Sequence, residues 1–270
     1  MNKASAISQI ITVFSMQMRL YFKSRLFYLV AIITAVVPIV AFSGYGDDLL
    51  KMVGMSTTSA YLLILLPLMA VAIPSLLCGK LISSEFKDRT IYLNLPLPMS
   101  RMTFYIGKFL SGFVTSVGII LLAMGFAVVA GQVLYEPSFP NDIGASMLIC
   151  ACGVFAVSAM AFGLGTYFKR GAAISTMFIM LMMPFVLIMV CALASPDGGL
   201  DDPLGILKVL PIYAPQQSLW LLDHGIGGSF FGSLMDAFVG ERTIFYVATS
   251  TAWGIGFLAL GALRIKNKEM

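Results

Sequence analysis

Charge is what this sequence has least of. Asp, Glu, Lys and Arg make up 11% of its 270 residues, whereas soluble domains carry about 25%. That shortage excludes an ordinary water-soluble domain. Histidine occurs once, at His224, so no H-E-x-x-H zinc helix exists and no Ser/His/acid set shares one membrane depth. The four cysteines, Cys78, Cys150, Cys152 and Cys191, lie in or at the edge of apolar runs and read as small hydrophobes rather than a disulfide framework. Cys150 and Cys152 are two apart and point to different sides of a helix. The phosphate loop G-x-x-x-x-G-K-[ST] is missing too. Gly79-Lys80 and Gly107-Lys108 each lack the leading Gly and the following Ser/Thr. No ten-residue alternation of the kind a transmembrane barrel needs is present. No cleavable signal peptide is expected, because the first apolar run begins well inside the chain with no small-residue cleavage site after it.

What is abundant is long apolar sequence. Hydrophobic residues make up 59% of the chain and its mean hydropathy is +0.93. Crossing the hydrocarbon takes about 20 apolar residues as helix, and six stretches meet that length closely enough: Leu26–Ser43, Thr58–Gly79, Phe109–Leu134, Gly144–Phe168, Ala172–Ala194 and Thr243–Leu263. Pro67 and Pro74 fall inside the second, where membrane helices tolerate proline and bend. The expected fold is an all-α polytopic membrane protein, 1–270 forming one transmembrane domain. Residues 4–23 differ from these runs. Ile7, Ile10, Ile11, Phe14, Met18, Tyr21 and Phe22 make one apolar stripe among polar neighbours, which predicts an interfacial amphipathic helix with that stripe at the acyl boundary.

The few charges are sorted. Lys3, Arg19, Lys23 and Arg25 precede the first span; Lys80, Lys87, Arg89, Arg101 and Lys108 follow the second. Lys169 and Arg170 follow the fourth, and Arg264, Lys266 and Lys268 follow the sixth. Lys51, Lys208 and Arg242 are the basic residues left for the other side, which holds 10 of the 13 acids. The positive-inside rule then predicts a multi-pass cell-membrane protein with both termini cytoplasmic. No ionisable residue falls within a span so drawn, which argues against a proton- or ion-coupled transporter.

The segment 80–108, KLISSEFKDRTIYLNLPLPMSRMTFYIGK, is too patterned for a plain connection. Ser83 or Ser84 can cap a short helix with Glu85 and Asp88 near its start. Leu95-Pro96-Leu97-Pro98 breaks it, and Ser100 can cap a second helix that runs through Gly107-Lys108 into the third span. A push on the short helix would reach two spans at once.

Glu85, Lys87-Asp88, Thr90, Leu97-Pro98-Met99-Ser100-Arg101 and Gly107-Lys108 resemble the first cytoplasmic loop of ABC-2-type transporter permeases. Arg89 stands where that family usually has Gly before the Thr. The resemblance implies an interfacial N-terminal helix plus six transmembrane helices in an ABC-2, type V exporter-like architecture. It implies a membrane-spanning permease of an ATP-driven exporter, paired with a second permease copy or a similar chain. A separate ABC ATPase subunit carries ATP and Mg, no cofactor sits in this chain, and the partner presses on Glu85, Lys87, Asp88, Arg89, Thr90, Pro98, Ser100, Arg101, Gly107 and Lys108. It further implies that 195–242 packs as a gate over the extracellular end. On this reading there is no catalytic or metal site, no nucleic-acid partner, and membrane lipid surrounds the chain. Charge reversal at Glu85 or Arg101 is then expected to uncouple ATP hydrolysis while leaving the spans folded.

Other features were weighed against simpler readings. Met177, Met180, Met182, Met183 and Met189, with Cys191 nearby, suit Cu(I), yet methionine is also a common filler of apolar helices. The acids of 195–242 with His224 read as solvated charge before they read as a metal site, and Gly227-Gly228-Ser229 has no evident base. A membrane scaffold that recruits a cytoplasmic partner through the same loop is the alternative from another functional class. Ala127 with Gly131, and Ala161 with Gly165, have the four-residue spacing of close helix packing.

Overall fold

A computed structural model describes residues 6–25, 27–34, 36, 57–87, 100–134, 143–168, 174–180 and 243–267. Five long helices organise them: α1 (Ala6–Lys23), α2 (Thr57–Lys87), α3 (Arg101–Leu134), α4 (Ile143–Tyr167) and α5 (Thr243–Asn267). Residues 27–34 and 174–180 are helical as well, and no strand occurs among the described residues. Arg101–Phe126, Met147–Tyr167 and Val247–Lys266 are each long and apolar enough to cross a membrane. α2, at 31 residues, exceeds the roughly 20 residues a crossing requires. The segments 44–55, 135–142 and 195–242, with half of the first span and most of the fifth, lie outside the described residues.

α4 is the hub. It packs on α2, α3 and α5, while α3 also packs on α1 and α2. Of the most apolar stretch of α4, 67% is buried, against 22% for that of α5, so α5 lies at the periphery of the described bundle. The core between α3 and α4 is aromatic. Phe109 meets Phe162 at 5.5 Å and Phe155 at 5.8 Å between ring centroids, and Tyr105 meets Phe162 at 4.8 Å. Several buried Ser and Thr bond within their own helices: Ser111 donates to the Lys108 carbonyl at 2.7 Å and Thr115 to that of Ser111 at 2.7 Å. Such back-bonding removes the cost of a hydroxyl in apolar surroundings.

Backbone contact between helices depends on glycine. A Cβ on Gly163 of α4 would stand 2.6 Å from the Phe257 carbonyl oxygen of α5, and one on Gly165 would stand 3.3 Å from the Gly79 oxygen of α2. Gly165 and the fully buried Ala161 are the packing pair expected from spacing; the packing around Ala127 and Gly131 lies outside what is described.

In α1 one residue of the expected stripe, Tyr21, turns inward. Val13, Gln17 and Tyr21, four residues apart, are buried, whereas Ile7, Ile11, Leu20 and Phe22 are exposed. The Tyr21 hydroxyl donates to the Leu77 carbonyl at 3.3 Å, and Thr115 donates to the Met18 sulfur at 3.2 Å. Tyr21 therefore belongs to the bundle and not to an outward apolar face. Periodicity alone does not tell a helix side that meets protein from one that meets solvent or lipid.

Candidate partner-coupling site

The two helices that flank the 80–108 segment meet below their apolar cores. α2 runs without a break to Lys87, so the expected short helix opening at Ser83 or Ser84 is instead the continuation of a spanning-length helix. Ser83 and Ser84 do not cap. Their hydroxyls donate to the carbonyls of Gly79 at 2.9 Å and Lys80 at 2.7 Å, the bonds Ser makes inside a helix. No proline lies between Pro74 and Pro96 to stop α2 before its end.

The other side begins where its sequence says. The Thr103 amide donates to Ser100 Oγ at 3.1 Å and the Phe104 amide to the Ser100 carbonyl at 3.2 Å. Ser100 is thus the N-cap of α3, and its hydroxyl also pairs with that of Thr103. Arg101 is exposed in the first turn. Ser100→Ala is expected to destabilise the fold by about 1 kcal/mol, the usual value of a Ser cap, read as a small drop in melting temperature in detergent.

Lys108 sits two turns further into α3 and is buried, 3% exposed, in an ion pair with Glu85 Oε1 of α2; the Glu85 side chain is 14% exposed. Lys108 also lies over the Phe104 ring, 5.0 Å from its centroid. The helix capped at Ser100 runs on through Gly107 and Lys108, as the sequence predicts, and Lys108 points into the packed bundle. A cation this buried needs its partner, and Glu85 supplies it across 23 residues of sequence. Glu85 Oε2 is buried with no hydrogen-bond partner among the described residues.

Gly107 serves the neighbouring helix. A Cβ there would lie 2.9 Å from Val13 Cβ and 3.1 Å from the Ile10 carbonyl oxygen, so its absence lets α1 rest on α3. Five residues on, Gly112 does the same for α2, with Cys78 Sγ and Leu81 Cδ1 each 2.8 Å from the position of a Cβ. Burial pushes the Tyr21 phenol to a higher pKa than usual, so it stays a neutral donor to Leu77. At the far side of the bundle, Tyr105 donates to the Leu258 carbonyl at 3.1 Å, and Arg264 Nε donates to the Thr166 carbonyl at 3.1 Å while its guanidinium covers the Tyr167 ring at 4.3 Å.

Among the residues singled out in sequence, the structure therefore joins Glu85 to Lys108, sets Ser100 and Arg101 at the start of α3, and puts Gly107 against α1. Lys87 closes α2, and its side chain lies outside the described residues, as do Asp88, Arg89, Thr90 and Pro98. Of the methionine cluster, Met177 and Met180 fall in helical 174–180; Met182, Met183, Met189 and Cys191 fall outside. Tyr21, Tyr105 and Gly112 were missed. Their signal was a polar or small residue on an otherwise apolar helix face.

Helices of membrane-crossing length, packed through glycine and self-satisfied hydroxyls, define a polytopic helical membrane protein. The chain belongs to the ABC-2 family of transporter proteins, whose family model matches residues 51–263. It is accordingly a membrane permease of an ABC transporter. No curated protein matches it in sequence.

Proposed function

We propose that this permease is the membrane half of an ATP-driven exporter, engaged by a separate nucleotide-binding subunit at the 80–108 segment. The observation that carries the reading is the buried Glu85–Lys108 pair. It locks the end of α2 to the start of α3, so a load on the intervening segment moves both helices, and α4, which packs on both, moves with them. The missing phosphate loop is consistent with an engine on another chain. ATP and Mg then bind that partner. Six spans, both termini in the cytoplasm, α1 in the membrane interface, a pathway between two permease copies and 195–242 as an outer gate complete the reading. The Lys/Arg distribution and the family membership support them.

The test is mild-detergent purification of the tagged chain from its host, with mass spectrometry of what accompanies it. A near-stoichiometric partner carrying G-x-x-x-x-G-K-[ST] is expected. Recovery alone, or with partners lacking that loop, would favour the scaffold reading instead. With the partner in hand, Arg101→Glu should reduce permease-dependent control of its ATPase rate by at least about fivefold, the low end of coupling between linked sites. The variant should stay folded, because Arg101 is exposed.

A further inference from the structure

α1 and the helix after it meet at a tight corner. Lys23 closes α1, the Ser24 amide donates to the Tyr21 carbonyl at 2.9 Å, and the Phe27 amide donates to Ser24 Oγ at 3.2 Å. Ser24 thus caps helical 27–34. The Phe22 and Phe27 rings close the corner edge to face, 5.3 Å apart between centroids. Beyond it Leu29, Ile32 and Ile33 are exposed, as on a helix that meets acyl chains, and exposed Tyr28 stands at its start, at the depth where interfacial aromatic rings lie.

Arg19, Lys23 and Arg25 are all exposed around this corner. Three residues at about 100° each put Arg19 only about 60° around α1 from exposed Phe22, and Lys23, four residues on, shares its side. Cations and apolar side chains therefore border one another, with the headgroups of a bilayer within reach of the long basic stems.

Charge selects the occupant. Residues 1–46 hold Lys3, Arg19, Lys23 and Arg25 and no acid. On the orientation proposed above, the cytoplasmic side has three acids, Glu85, Asp88 and Glu269, and Glu85 is committed to Lys108. Two carboxylates cannot neutralise three cations, so at least one of Arg19, Lys23 and Arg25 stays without one however the rest of the chain folds. We propose that the corner binds anionic phospholipid of the cytoplasmic leaflet, whose phosphodiester carries no compensating ammonium. Exposed Ile7, Ile11 and Phe22 favour lipid over an acidic protein surface, because they require acyl chains beside the phosphates. The inference rests on α1 lying in the membrane interface, as proposed above, and not on coupling to an ATPase.

The experiment is native mass spectrometry of the full chain in detergent, with phosphatidylglycerol or phosphatidylcholine added. Phosphatidylglycerol should be retained at least about fivefold better, the effect of one surface cation on an anionic leaflet. Excess glycerol phosphate should not displace it. Replacing all three cations, by Arg19→Gln, Lys23→Gln and Arg25→Gln, should equalise the two lipids while the protein elutes as the wild type does. Lys266→Gln, which removes an exposed charge on α5, should leave the ratio unchanged. Equal retention by the wild type, displacement by glycerol phosphate, or an equal effect of Lys266→Gln would each overturn the proposal. So would a triple variant that keeps its lipid preference but loses a co-purifying subunit, which would assign the cations to a protein partner. A polarity-sensitive dye on Ile11→Cys in bilayers, read against wild type treated alike, separates the two levels. A dye in water overturns the interfacial placement and this proposal with it; a dye in lipid without a phosphatidylglycerol preference overturns the selection alone.

Discussion

Replacing Lys108 with alanine is expected to destabilise the permease by about 3–5 kcal/mol, the range for breaking a buried ion pair from one side. The wild-type pair is almost wholly inside the protein, Lys108 at 3% and Glu85 at 14% exposed. Removing the ammonium leaves the Glu85 carboxylate in the same place without its ion-pair partner, and Oε2 has no donor among the described residues. Glu85→Ala strands the ammonium instead and should cost a similar amount. The paired replacement Glu85→Leu with Lys108→Met should recover much of the loss, because apolar groups of similar volume often replace a buried pair at little cost. Melting of the purified variants in detergent checks this: two low singles and a double near wild type. Singles that melt as the wild type does would mean that the pair is not buried. The double also separates stability from coupling. If the pair transmits load, the double should fold and still lose control of the partner ATPase. The same burial revises the charge-reversal expectation for Glu85, whose reversal sets two cations side by side inside the bundle and should unfold it. Arg101 remains the informative reversal.

Gly163→Ala should be the second large effect, costing about 2 kcal/mol or more, within the usual range for forcing extra volume into a packed interface. The new Cβ would stand 2.6 Å from the Phe257 carbonyl oxygen and 3.3 Å from its carbon. Backbone cannot rotate out of the way as a side chain does, so α4 and α5 must separate. Separation also strains the two ties across the bundle, Tyr105 to Leu258 and Arg264 to Thr166, both 3.1 Å. Gly256→Ala in α5 is the matched control, since a Cβ there meets nothing within 4 Å. It should cost nothing, and the better helix propensity of Ala adds up to about 1 kcal/mol in its favour. Equal melting temperatures for the two variants would contradict the close approach of α4 and α5.

Much of this was legible from local sequence. The start of α3 at Ser100-Arg101 follows from a capping residue after a proline-rich break, and the bounds of α4 and α5 follow closely from apolar runs. Ser83 and Ser84 misled because the same hydroxyl that caps a helix also back-bonds within one; the choice depends on whether the chain before it is already helical. Of the α1 stripe, Ile7, Ile11 and Phe22 stay exposed while Tyr21 turns inward with Val13 and Gln17, because an 18-residue amphipathic helix has two sides to bury.

The membrane class of this protein was determined by the sequence alone, since the hydrocarbon selects on length and polarity, quantities that add up along a single segment. The family followed from ordered residues within one loop. Only the tertiary structure decided that Lys108 turns into the bundle, that Glu85 neutralises it there, and that Gly163, out of the chain's 25 glycines, is among those that bring two backbones together. Each of these depends on which distant segment becomes a neighbour. That is settled by packing between helices, and no periodicity within one helix records it.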